Sequence, residues 1–216
     1  MRLRNIKGSK EIIESSSYVI VNYQGLGGQW NSIFSNEHPI HLEIGMGKGK
    51  FLVDSALRNP HINYIGVERY SSVLCRAVQK VSIQEEIRNL RFIAMDAGEL
   101  LTTFSTKEVD KIYLHFSDPW PKDRHARRRL NSKEYLAIYG TILKEDGVLE
   151  LKTDNLQLFE FGIEEAKVAG WTVNSINRNL HTQEYIATNP VMTEYEKKFG
   201  SAGNPILQYK INKGYQ

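Results

Sequence analysis

Short apolar runs and longer amphipathic stretches alternate along this 216-residue chain. Residues 40–44, 63–67, 90–95, 111–116 and 147–152 are runs of five or six residues rich in Ile, Leu, Val and aromatic side chains, and they predict five β-strands. Residues 49–58, 71–87, 97–104, 132–143 and 156–169, one stretch after each run, carry apolar side chains at helical spacing. Five strand–helix alternations predict an α/β fold: a mostly parallel sheet with helices on both faces. The pattern then changes. Residues 171–178 and 205–211 read as two further strands around a short helix near 193–199, which fits a closing antiparallel strand. No repeat, low-complexity tract or linker divides the chain, so a single domain over residues 1–216 is expected. Residues 1–39 form an N-terminal extension of it, with a basic, flexible start.

Charge sharpens this picture. The chain holds 28 Lys and Arg against 25 Asp and Glu, but five of the basic residues and only one acid lie within residues 122–129. A smaller basic group, Arg2, Arg4, Lys7 and Lys10, opens the chain. Localised positive charge attracts polyanions. Cys75 is the only cysteine, which excludes an intrachain disulfide and fits a reducing compartment. The first ten residues lack the apolar centre of a secretory signal, and no run has membrane-spanning length, so a cytoplasmic, membrane-free protein is expected. The six histidines show no metal-ligand spacing.

Ligands of parallel α/β sheets bind beyond the carboxyl ends of the strands. Here all five predicted strands deliver a carboxylate to that edge: Glu43, Glu68, Asp96, Asp118 and Asp154. Gly45-x-Gly47-x-Gly49 follows the first strand and opens a helix, the context of a nucleotide-binding loop. A dinucleotide fingerprint requires glycine where Lys50 stands, and Glu43 repels a diphosphate, so the loop suits a cationic or neutral ligand. Glu68 lies at the spacing of an acid that takes ribose hydroxyls, and Asp96 is placed to accept from an exocyclic amine. The fourth strand runs into Ser117-Asp118-Pro119-Trp120 and then into the basic block. A carboxylate, a rigid turn, an indole and a group of cations suit a nucleic-acid base and its phosphates.

The segments HLEIGMGKGKF, NYIGVERY, YLHFSDPWPKDRHARRR, LELKTDN and VMTEYEKKF resemble, in order, the signature segments of the bacterial tRNA (guanine-N7-)-methyltransferase family. That family lies within the Rossmann-like methyltransferases that use S-adenosylmethionine. The resemblance spans roughly residues 40–200 and rests chiefly on the SDPWPK…H..RR and TEYE segments. It implies a seven-stranded sheet, mostly parallel with one antiparallel strand, and S-adenosyl-L-methionine as cofactor, contacted by Glu43, Gly45, Gly47, Glu68, Asp96 and Asp118. Asp118 is the implied catalytic residue. The resemblance further implies substrate contacts from Lys122, Asp154, Thr193, Glu194, Tyr195 and Glu196, and RNA contacts from Arg124, His125, Arg127, Arg128 and Arg129. The implied partner is tRNA, methylated at the variable-loop guanine, by a monomer or homodimer that uses no metal.

Plainer roles stand beside these. Asp154 fits a helix cap, Thr193 to Glu196 fits a T-x-x-E capping box, Trp120 fits a core position and the arginines fit a solvated face. Two rival functions remain open at this stage: methylation of an exocyclic amine, and non-catalytic RNA binding on the same fold. The first usually goes with a second proline after Asp-Pro, where this chain has Trp120. A nicotinamide dehydrogenase is a weaker rival, because the glycine spacing is wrong for it.

Overall fold

The computed structural model describes residues 6–188 and 190–214, so Arg2 and Arg4 lie outside the described residues. Among the described residues, seven strands form one sheet: β1 (Ile40–Ile44), β2 (Asn63–Val67), β3 (Leu90–Ile93), β4 (Val109–His115), β5 (Leu143–Thr153), β6 (Trp171–Asn177) and β7 (Leu207–Lys213). Their order is β3-β2-β1-β4-β5-β7-β6. The first five pair in parallel, and β7 runs antiparallel between β5 and β6. From β1 the chain moves outward to β2 and β3, then returns to place β4 on the other side of β1. The crevice between the carboxyl ends of β1 and β4 is therefore the topological switch point of the sheet.

Side chains alternate across a strand. On one face Leu42, Ile44, Ile112, Leu114, Leu149, Leu151, Tyr209 and Ile211 are buried in one apolar core. That core is covered by α5 (Lys133–Ile142) and α6 (Leu156–Val168), which contribute Leu136, Tyr139, Phe159 and Ile163. On the opposite face, α3 (Lys50–Arg58) and α4 (Ser71–Val81) bring Phe51, Leu52, Leu74 and Val78 against Tyr64 and Phe92. Farther along this second face, β1, β4 and β5 present Glu43, His115, Glu150 and Lys152, all buried.

Residues 6–39 are built into the domain. The helix α1 (Ser9–Glu14) packs on α4. Ile20 N–H donates to Phe92 O at 2.9 Å and Phe92 N–H to Tyr18 O at 2.8 Å, so this segment covers the edge of β3. In α2 (Trp30–Phe34), Trp30 is fully buried, stacks on Phe104 at 5.2 Å and donates Nε1–H to Thr103 O at 3.2 Å.

Several predicted elements differ in extent. The helix expected to reach residue 87 ends at Val81, because its apolar stripe of Leu74, Val78 and Val81 meets Glu85 at the next position. Residues 97–102 form a tight 3-10 helix, Ala97–Thr102, and β5 begins directly at the end of α5. The late helical region divides into α7 (Gln183–Ala187) and α8 (Glu194–Ser201).

Candidate active site

Gly45 and Gly47 have φ of 74° and 59°, a conformation that glycine adopts freely and other residues adopt with strain. A Cβ at Gly47 would meet nothing within 4 Å, so glycine is needed there for its backbone angle and crowding plays no part. The loop is tied to β2. Gly47 N–H donates to Glu68 Oε2 at 3.1 Å, and Tyr70 N–H donates to Glu68 Oε1 at 2.9 Å. Burial pushes the Glu68 carboxyl upward, these N–H donors pull against it, and the nearby Asp118 carboxylate adds to the rise.

Glu43 is only 2% exposed. Its Oε1 lies 3.7 Å from His115 Nδ1, and its Oε2 has no hydrogen bond. Burial raises its pKa well above the ordinary value; Glu68 reinforces the rise and Lys152 opposes it. A buried carboxylate oxygen without a donor is costly. At the mouth of a glycine loop, this one suits a ligand that brings positive charge or an N–H donor.

Behind Glu43 runs a buried polar row across the sheet. His115 Nε2 lies 3.4 Å from Glu150 Oε1, and Lys111 Nζ donates to Glu150 Oε2 at 2.9 Å. Burial works against the Glu150 charge, but His115, Lys111 and Lys152 outweigh it and hold that carboxyl well below its usual range. Lys152 Nζ reaches Glu196 Oε1 and Oε2 at 3.1 and 3.2 Å and donates to Tyr185 Oη at 2.9 Å. His181 Nε2 lies 3.1 Å from the same Glu196 carboxylate.

The Thr193–Glu196 segment is therefore divided among several jobs. Thr193 Oγ1 accepts from Glu196 N–H at 2.8 Å and caps α8. The Glu196 side chain, fully buried, turns to Lys152. Glu194 receives Lys48 Nζ and Lys80 Nζ, each at 3.2 Å, and joins α8 to the glycine loop and to α4. Tyr195, like Glu194, is open to water: it is 48% exposed, its ring stacked with Phe116 at 6.3 Å and Phe199 at 6.0 Å.

The turn after β4 is conformationally strained at both ends, with φ of 52° at Phe116 and 42° at Trp120. Such residues cost about 1–3 kcal/mol each and persist only when their surroundings hold them. Phe116 N–H donates to Lys152 O at 2.8 Å. Arg129 Nε donates to Pro119 O at 3.1 Å and Arg129 Nη2 to Trp120 O at 3.1 Å, while the guanidinium lies 4.3 Å from the Phe161 ring centre. Arg129 is 9% exposed, so it secures the turn from inside while its neighbours face water. Asp118 is exposed at the apex, and Lys122 and Arg124 are exposed beyond it. Around Trp120, the Arg128 guanidinium lies 5.1 Å from the ring centre and His125 meets the ring edge-on at 5.6 Å. Arg127 is exposed and pairs with Glu134 at 3.2 Å.

Asp96 is a cap: its Oδ1 accepts from Gly98 N–H at 2.9 Å, and its Oδ2 lies 3.3 Å from Arg69 Nη1. Asp154 is relieved of that task, because Asn155 Oδ1 takes the Leu158 N–H at 2.8 Å and caps α6. Glu43, Gly45, Gly47, Glu68 and Asp118 thus share one edge of the sheet, and Asp96 stands at the next strand along.

A protein-family model described as "Putative methyltransferase" matches residues 37–209. The chain is 50% identical over 206 residues, 95% of each chain, to the tRNA (guanine-N(7)-)-methyltransferase of Lachnoclostridium phytofermentans. It is 43% identical over 212 residues, 98% of this chain and 95% of the other, to the protein of that name in a Geobacillus species. The chain belongs to the tRNA (guanine-N(7)-)-methyltransferase family. Among solved structures, the 16S rRNA methyltransferase KamB superposes with a TM-score of 0.65 at 16% identity, covering 86% of this chain and 92% of that one. An antibiotic-related methyltransferase gives 0.63 at 17% identity, covering 85% and 91%. At those identities the likeness concerns the fold, and it bears out the seven-stranded Rossmann-like sheet.

For a member of this methyltransferase family, sequence reasoning overlooked the polar row of His115, Glu150, Lys152, His181 and Tyr185. A signal for its sheet residues was present in HLEI, YLHF and LELK, where apolar and polar residues alternate along strands that parallel sheets usually make apolar on both faces.

Proposed function

We propose that this chain transfers the methyl group of S-adenosylmethionine to N7 of a guanine in tRNA, the variable-loop guanine being the expected target. The observation that carries the cofactor is Glu43, a buried carboxylate with an unpartnered Oε2 beside the left-handed Gly45 and Gly47. Glu43 would hold the cationic methionine portion, Gly45 and Gly47 would let the backbone approach it, Glu68 would take the ribose and Asp96 the adenine edge. When bound, S-adenosylmethionine supplies an electrophilic methyl group. Guanine N7 offers a lone pair and carries no proton, so the transfer needs no general base. Asp118 would face the purine and oppose the positive charge that develops on it. The 116–120 turn, held by Arg129 and Lys152 O, fixes the position of Asp118, and alignment of donor and acceptor can supply ~7–11 kcal/mol of the barrier reduction. Glu194, Tyr195, Lys122 and Asp154 are the substrate-side groups left accessible, with the buried Thr193 and Glu196 holding that side in shape. Arg124, His125, Arg127 and Arg128 would meet the RNA backbone.

The test is to incubate the protein with unmodified tRNA and a labelled methyl donor and to map the label by mass spectrometry of the digested RNA. The expected product is 7-methylguanine in the variable loop; a label on an exocyclic amine would overturn the reading. In the same assay Asp118→Ala should lower turnover by ~10²–10³-fold, the loss typical of a missing charge-stabilising group, with tRNA affinity unchanged.

A further inference from the structure

Asp118 sits between Phe116 and Trp120 in the chain, and the contacts of these two rings lead in two directions, both ending in cations. One passes through Trp120 to Arg128, within the basic stretch already described. The other passes through Phe116 to the stacked ring of Tyr195, and so to Glu194 beside it. Lys48 and Lys80 converge on the single Glu194 carboxylate, which leaves one positive charge uncancelled. Arg76 stands four residues before Lys80 on α4, and Lys197 three residues after Glu194 on α8, both exposed. Residues at these spacings share a helix face. Lys50, the first residue of α3 after this loop, is neutralised by Asp54.

We propose that Lys48, Lys80, Arg76 and Lys197 form a second phosphate-binding flank, which grips the RNA backbone on the side of the target nucleotide opposite residues 122–129. The proposal rests on reading the chain as a tRNA methyltransferase. A base lifted out of its stack leaves a phosphate on each side of it, and holding only one side leaves the nucleotide free to swing. Glu194 orders the two lysines without fixing them, because partly exposed ion pairs are worth only about 0–1 kcal/mol and exchange readily for phosphate.

The experiment compares R76Q/K197Q with R124Q/R128Q, measuring tRNA affinity across a salt series and S-adenosylmethionine binding in parallel. Each pair should lower the slope of log K against log salt by ~1.4–1.8, two contacts at ~0.7–0.9 apiece, with cofactor binding unchanged. A normal slope for R76Q/K197Q beside a reduced slope for R124Q/R128Q overturns the second flank and leaves the methyltransferase reading standing. Normal slopes for both overturn RNA recognition by this edge of the sheet, and the flank with it.

Discussion

The two faces of the central sheet are made from the same strands and do different work. Leu42, Ile112, Leu114, Leu149 and Leu151 point one way into an apolar core that tolerates no charge. Their neighbours Glu43, His115, Glu150 and Lys152 point the other way and are equally hidden from water. On the first face stability follows from the area removed from water, roughly 25 cal/mol per Å² of apolar surface. On the second, each buried charge is tolerable only because a specific partner answers it. The apolar face therefore carries the fold, and the polar face aims groups at the crevice between β1 and β4. Two of these four side chains keep polar atoms without a hydrogen bond, the ring nitrogens of His115 and Oε2 of Glu43, and of the two Glu43 is the one beside the glycine loop.

Removing Lys152 separates these roles most sharply. Lys152→Met deprives the buried Glu196 carboxylate of its ammonium partner and leaves it only His181 and Tyr185, and urea unfolding should show a loss of about 3–5 kcal/mol. Adding Glu196→Leu should restore most of that stability but not methyl transfer, since α8 loses its polar tie to β5. A loss under about 1 kcal/mol in the single variant would mean that His181 and Tyr185 suffice for the Glu196 carboxylate. On the other face, Leu114→Ala should cost about 2–5 kcal/mol while the activity of the folded fraction stays at the wild-type level. A fall in kcat at low temperature would show that the two faces are not separable.

The smallest effect concerns pH. Burial, with Lys111 adding to it, lowers the His41 pKa from 6.5 to about 4, while Asp110 and Glu150 act the other way. Between pH 6.5 and 4 the unfolded chain binds a proton at His41 that the folded chain refuses, so this residue weakens the fold as pH falls. His41→Phe should therefore gain on the wild type by up to about 1.4 kcal/mol per pH unit across that window. A constant difference between the two proteins would mean that His41 is protonated in the fold.

Much of the architecture was legible because strands and helices differ in period and the runs are short and separated. The strand-end carboxylates were legible for the same reason: once the strands are placed, their ends are known. The helices α1 and α2, of six and five residues, are too short for a period to declare itself, and tertiary burial of Ile13 and Trp30 holds them. Nothing local distinguishes Arg129 from Arg124, Arg127 and Arg128; the ring of Phe161 and the carbonyls of Pro119 and Trp120 select it. Likewise T-x-x-E correctly marks a helix start at Thr193, yet the Glu196 side chain follows Lys152, 44 residues away in the chain.

Because β7 lies between β5 and β6 and comes last among the seven strands, order of synthesis and order in space disagree. As the polypeptide leaves the ribosome, β6 has no neighbour to pair with until residues 207–213 arrive. His181, Tyr185 and Glu194 to Glu196 lie in the chain between those two strands and can settle only afterwards. A nascent molecule thus completes its scaffold and the buried polar row of the candidate site in the same final step, and truncation before residue 207 deprives it of both.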